Sequence, residues 1–417
     1  MKKIILTSIA AILTCPIFAQ FDGNGFYRIQ NKGAAKRYLS VVNDRVDDTN
    51  KNVDVTTPSS FIDVQVYALG TIKEPLTDPG SILYLTGKEL SKGDIQVSIQ
   101  AQGMNTDKLT KNQKLQIIDD TYLFAEYKGV SLYMSDTYES FLSDQDMNAC
   151  IISGKTRRNT AKDYATWSIT KVNNTSEYLG VKPELTVGGK YYTTMYASFA
   201  YDLSEGMKAY YIDDYKCGDY ISNPIAQLQE ITGRIPAATP VILECSSNDP
   251  KDNKLLPVNA KVAAIEDNEL TGNYFCYVKL TPKGVENTEP TLGAQLKNVI
   301  SYDESTMRVL GVADGQLALV PATDSYLRVT DLGKYLPANK AYFQMEAEEA
   351  AGTAGKSLKI LAPTEYQDVL SGISSVKAQE PVKGGVYTLG GVRVSEGSTD
   401  GLPKGIYIAN GKKIIVR

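Results

Sequence analysis

The chain has 417 residues, 42% hydrophobic and 22% charged, and its 44 basic against 48 acidic side chains leave a formal net charge of −4. That length exceeds one ordinary core and predicts two or three domains, while the mildly acidic, well-mixed charge argues against nucleic acid as a partner. No histidine occurs anywhere; this removes Ser-His-Asp and Cys-His nucleophiles, histidine-ligated zinc and imidazole acid–base work, so any enzyme reading must run on carboxylates, Tyr, Lys, Cys or oxygen-ligated metal.

Residues 1–20, MKKIILTSIAAILTCPIFAQ, read as a secretory signal peptide. Lys2 and Lys3 precede an apolar stretch from Ile4 to Ile12, and Ala19 supplies a small-residue exit. The stretch is short for a membrane span, so the mature chain is expected to be exported, to the cell surface or beyond, with no transmembrane segment. Cys15 sits between Thr14 and Pro16, a poor setting for lipidation. Export leaves Cys150, Cys217, Cys245 and Cys276, structural thiols or disulfides with three connectivities open, too widely spaced for a Cys-x-x-Cys zinc group.

From residue 21 almost every local signal is strand and turn. FYRIQN and RYLSVV form a first hairpin, and SILYLTGK with DIQVSIQA, YLFAEYKGVSLYMSD, ATWSITKV and EYLGVK repeat the texture as three or four hairpin units. The 27 tyrosines, against nine phenylalanines and one tryptophan, suit strands with one wet face. FYRIQN, RYLSV and ATWSITKV resemble the first and closing strands of a ricin-B-like β-trefoil lectin repeat, with Ala165 where the repeat carries glutamine. The resemblance covers about Phe21 to Lys182 and implies a β-trefoil domain over 21–184. If the chain binds a glycan or host macromolecule, Tyr27, Tyr38 and Trp167 are the candidate ligand-binding aromatics, with core packing as the alternative role of each.

Gly188-Gly189 marks a new region, residues 185–362, read as β-sandwich-like. IPAATPVILEC from Ile235 and LPANKAYFQME from Leu336 share an aliphatic-Pro-Ala entry to a strand, where proline needs no ladder bond. The repetition predicts two half-units, 185–255 and 256–362. This region resembles the sandwich-like modules of exported Bacteroidetes proteins. QMEAEEAA is read as a loop or one frayed turn, and residues 363–384, rich in Ser, Lys, Glu, Gln and Pro, as a linker.

The last segment, 385–417, spells two hairpins with two-residue loops, VYTL-GG-VRV and GIYIA-NG-KKIIVR. It resembles the C-terminal sorting domain of the type IX secretion route of Bacteroidetes, carried by Gly390, Gly391, Gly405, Tyr407, Asn410, Gly411, Lys412 and Lys413. The resemblance implies export machinery as a partner.

No constellation reads as catalytic. Asp119-Asp120, Asp213-Asp214 and the Glu346, Glu348, Glu349 group are adjacent carboxylates, whereas glycoside hydrolysis needs two facing across a cleft. The Asp48–Asp54 stretch alternates oxygen ligands but has Val53 and Ser59 where a calcium loop needs Gly and Glu. No metal or cofactor is expected. The chain reads as an all-β, multi-domain exported protein that binds a glycan or host macromolecule without turnover. A polysaccharide-degrading enzyme using carboxylates alone and a structural cell-surface component are the alternatives.

Overall fold

The computed structural model is 49% strand and 6% helix. It describes residues 21–32, 36–41, 69–72, 74–89, 95–100, 115–118, 122–127, 130–136, 150–155, 166–173, 177–217, 223–276, 299–330, 333–351, 353, 355–371, 385–389, 391–395, 398–399, 401–409 and 412–416. The expected signal peptide, the Asp48–Asp54 loop, Asp119-Asp120, Gly390, Asn410 and Gly411 lie outside the described residues. The chain divides into two compact units, Met1–Ile360 and Leu361–Arg417.

The first unit begins with β1 (Gly25–Asn31), β2 (Tyr38–Val41), β3 (Leu69–Ile72), β4 (Leu83–Glu89), β5 (Ile95–Gln100), β6 (Leu115–Ile118), β7 (Tyr122–Tyr127), β8 (Val130–Asp136), β9 (Cys150–Lys155) and β10 (Trp167–Lys171). They form one sheet in the order β10-β1-β2-β3-β9-β8-β7-β6-β5-β4, and β4 returns to pair with β1. From β4 to β9 each described strand pairs with the next, so the sheet is a curled meander closed through β1; the threefold repetition of a trefoil is not visible in these pairings. Side chains alternate across β1: Tyr27, Ile29 and Asn31 share one face, and Ile29 packs beside buried Leu39 and Ile169. The other face carries Arg28.

The same unit continues with β11 (Leu179–Gly180), β12 (Leu185–Val187), β13 (Lys190–Met195), β14 (Ala200–Leu203), β15 (Lys208–Lys216), β16 (Ile225–Ile231), β17 (Val241–Cys245), β18 (Lys254–Val258), β19 (Leu270–Asn273), β20 (Met307–Ala313), β21 (Gln316–Val320), β22 (Arg328–Thr330), β23 (Gly333–Tyr335), β24 (Lys340–Gln344), the one-turn helix α1 (Ala347–Ala351) and β25 (Leu358–Leu361). Its main sheet runs β12-β13-β17-β15-β16-β25-β21-β20-β24-β19. On either side of β25 the order is mirrored: β13-β17-β15-β16 answers β19-β24-β20-β21. The shared aliphatic-Pro-Ala stretches enter the equivalent strands β17 and β24. In both, the residue two after the proline takes a left-handed conformation, Ala238 at φ 53° and Asn339 at φ 59°. Asparagine adopts that conformation cheaply; alanine does so only under tertiary constraint.

Between the half-units lies a core of Ile212, Ala226, Ile242, Leu270, Leu310, Leu319, Phe343 and Leu358. The halves interlock at the Asn339 turn: its backbone oxygen accepts from Tyr196 N–H at 2.9 Å, and its Nδ2 donates to Tyr196 O at 3.0 Å. Beside it Lys340 reaches Thr193 Oγ1 at 2.9 Å and Glu184 at 2.8 Å.

A boundary near Leu185 was expected; beside the core between the half-units, a second buried cluster crosses that boundary. Ile82, just before β4, is buried in one cluster with Leu179, Val181, Phe199, Tyr201, Val241 and Leu255, and Phe26 and Val172 pack against it. Arg28 adds a polar tie, donating to Ser81 Oγ at 3.2 Å, Glu177 at 3.0 Å and Pro75 O at 2.8 Å.

The second unit corrects the linker in part. Pro363–Leu370 is an α-helix, α2, with Pro363 at its first turn and the Glu365 carboxylate accepting from Ala362 N–H at 3.3 Å. Its Tyr366 is fully buried. Strands β26 (Val386–Thr388), β27 (Arg393–Ser395), β28 (Gly405–Ala409) and β29 (Lys412–Val416) make one four-stranded sheet, ordered β27-β26-β28-β29, rather than two separate hairpins. The first turn is longer than the two-residue loop expected: Thr388 N–H donates to Val392 O, and Gly391 takes the left-handed position at φ 79°. The second loop keeps the expected length, with Ala409 opposite Lys412.

Candidate functional site

The best-defined polar cluster with access to solvent lies at one end of the half-unit core. Strand register sets Tyr192, Glu244 and Lys208 side by side on β13, β17 and β15, and Tyr210 of β15 opposite Glu230 of β16. Cross-strand partners share a face, so these side chains continue the face that buries Ile242 and Ile212 further along. Polar residues take over where the apolar core ends.

Glu244 is the hub. One carboxylate oxygen meets the Lys190 ammonium at 2.8 Å, and the other accepts from the Tyr192 and Tyr210 hydroxyls, each at 3.2 Å. Lys208 reaches Glu230 at 3.0 Å. The Glu244 side chain is 13% exposed while Lys190 is 58% exposed. The cluster therefore opens outward from a half-buried carboxylate.

Burial pushes Glu244 up, but the Lys190 ammonium and the two phenols outweigh it and hold the carboxyl below its ordinary value. Burial and the adjacent carboxylate push Tyr192 up to about 12 and raise Tyr210 as well. At neutral pH the carboxylate stays charged and both phenols stay protonated. A general acid or base needs a pKa near the working pH. This arrangement instead offers fixed acceptors, donors and ring surface, which is recognition chemistry.

The aromatics predicted for binding are not brought together. Tyr27 and Trp167 share a face of the first sheet, but both are fully buried. Tyr27 donates to Gly23 O at 2.6 Å and stacks on Phe21. Neither ring offers a face to solvent. Tyr38 pairs with Gln30, which puts it on the opposite face, partly exposed. The excess of tyrosine could have pointed to the Glu244 cluster, but no local pattern marks which tyrosines converge on one carboxylate.

The adjacent carboxylates are split among separate partners. Asp213 accepts from Gln227 at 2.7 Å and Tyr211 at 3.3 Å, whereas Asp214 pairs with Lys216 at 2.7 Å. Glu349 accepts from the Tyr215 hydroxyl. Cys217, Cys245 and Cys276 are thiols. Among the described residues no group of three or more acidic or cysteine side chains is placed to hold a metal, and no helix is long and apolar enough to cross a membrane.

Of the sorting residues, Tyr407 is buried and donates to Pro403 O at 3.0 Å, Gly405 lies against its ring, and Lys412 and Lys413 are exposed. No protein-family model, curated protein or solved structure matches the chain.

Proposed function

We propose that this is an exported surface or secreted protein that binds a glycan or host macromolecule without turning it over. The supporting observation is the Glu244 cluster. A carboxylate held ionised, two phenols held protonated and two flexible lysines present the acceptors, donors and ring surface that a polyhydroxyl ligand uses, and neither the carboxylate nor the phenols titrate near neutrality. The signal-peptide-like start and the resemblance of the C-terminal sheet to a type IX sorting domain support export.

A glycan array probed with the protein, followed by a hydrolysis screen on the hits, tests the reading. Binding without product is expected, and Glu244→Gln combined with Tyr192→Phe should weaken it at least about tenfold, the loss of roughly 1.4 kcal/mol typical of one or two polar contacts. Product formation would put the carboxylate-based enzyme in its place. Deleting 385–417 is expected to retain the protein in the periplasm; surface delivery of the truncated chain would remove the sorting assignment.

A further inference from the structure

Two tyrosines meet ring to ring across the half-units. Tyr196, just after β13, and Tyr274, just after β19, stack with ring centroids 4.2 Å apart and planes inclined by 26°. Among the described residues no other pair of tyrosines stacks. The centroids are closer than the roughly 4.5–7 Å usual for aromatic pairs, which puts facing ring carbons on the order of 3.5 Å apart, the spacing of a near-attack geometry.

The pair is held in place from both sides. Tyr196 is tied to Asn339 of the other half-unit by two hydrogen bonds, its N–H donating at 2.9 Å and its carbonyl accepting at 3.0 Å. Its ring lies over Gly272, where a Cβ would collide with it. On the far side Phe275 meets the Tyr274 ring edge-on, with centroids 6.0 Å apart. A hydrogen bond joins the two phenols, and burial, with Tyr196 beside it, keeps Tyr274 protonated at neutral pH. The hydroxyls therefore lie side by side and bring the carbons ortho to them together. Both residues remain partly exposed.

We propose that Tyr196 and Tyr274 form an oxidative cross-linking site, at which hydrogen peroxide, acting through a heme peroxidase, joins the rings as o,o′-dityrosine and ties the half-units covalently. Each phenol gives up its O–H proton and one electron. The two phenoxyl radicals form a carbon–carbon bond between their ortho carbons, and the ring protons displaced there return to the oxygens. One peroxide takes both electrons and both protons and leaves as two waters. The site is separate from the Glu244 cluster and stands whether or not that cluster binds glycans.

Treating the dilute mature protein with a heme peroxidase and limiting hydrogen peroxide, then isolating the monomer, tests this. The monomer is expected to lose two hydrogen atoms by intact mass, to gain dityrosine fluorescence, and to yield on digestion one cross-linked peptide pair containing Tyr196 and Tyr274. It should melt above the untreated protein, because the bridge closes a loop in the unfolded chain. Tyr196→Phe and Tyr274→Phe, which keep the rings, should each lose the mass change and the fluorescence. Tyr342→Phe, which alters a phenol packed with Met307 and Leu336, should keep both. A monomer without the bridge, bridges mapped to other tyrosines, retention of the bridge in either site variant, its loss in Tyr342→Phe, or a bridged form that melts lower would each overturn the assignment. The peptide map of the native protein decides the case where a variant does not fold.

Discussion

Two buried polar groups of the first unit make opposite demands on their surroundings. The Tyr201 hydroxyl is fully buried among Phe199, Ile235 and Leu255 and has no hydrogen-bond partner among the described residues. Burying a hydroxyl without a partner costs about 1–3 kcal/mol, so Tyr201→Phe is expected to match or exceed native stability in urea unfolding. Asp78 caps the short 3-10 turn at Pro79–Ser81, accepting from Gly80 N–H at 3.1 Å and from the Ser40 hydroxyl. Burial raises its carboxyl to about 6, against the lowering effect of those hydrogen bonds and of Arg28. A carboxyl raised above its unfolded value binds its proton more tightly in the folded chain, so its contribution is largest at low pH and is lost as pH climbs from about 4 through about 6. Asp78→Asn is expected to flatten the melting-temperature profile across that window and to raise Tm above it. A steeper profile in the variant would contradict this origin.

At the scale of elements, the two half-units are held together by turns and one close approach. Tyr196, just after β13, stacks on Tyr274 with centroids 4.2 Å apart. Its ring lies so close over Gly272 of β19 that a Cβ there would collide with it. Gly272→Ala is therefore expected to destabilise by about 1–3 kcal/mol through overpacking, measured by chemical unfolding. Gly189→Ala makes the contrasting case: its Cβ would meet nothing, but φ is 78°, so its cost is backbone strain alone. The proline before each equivalent strand was legible in sequence, and so was the repetition it marks. The order mirrored about β25 was not, because which strands become neighbours is decided by long-range pairing rather than by any local period.

For the whole molecule, the first sheet and the central region form one body. Ile82, Phe26 and Val172 pack on the same cluster as Phe199 and Tyr201, and Gly180 N–H donates to Leu76 O at 2.8 Å. A fragment containing only residues 185–362 would expose that apolar surface. It is expected to aggregate or to bind a hydrophobic dye, whereas residues 21–362 should remain monodisperse by light scattering; a monomeric, cooperatively melting short fragment would show that the shared core is dispensable.

The sequence by itself determined the class of structure and excluded much chemistry. Alternating strand patterns, Gly-rich turns and abundant tyrosine led to an all-β chain, and the missing histidine ruled out imidazole catalysis. It also marked the Pro-Ala strand entries of the two half-units. Those signals are local, written in the two-residue period of a strand or in single turn residues. Only the tertiary structure decided that Tyr27 and Trp167 are packed inside, that Pro363–Leu370 is helical, and that the first sheet and the central region share a core. It alone brought Tyr192, Tyr210 and Lys190 onto Glu244. Each of these depends on which strands lie side by side and which face of a strand is covered, and an alternating pattern fixes two faces without saying what will cover either.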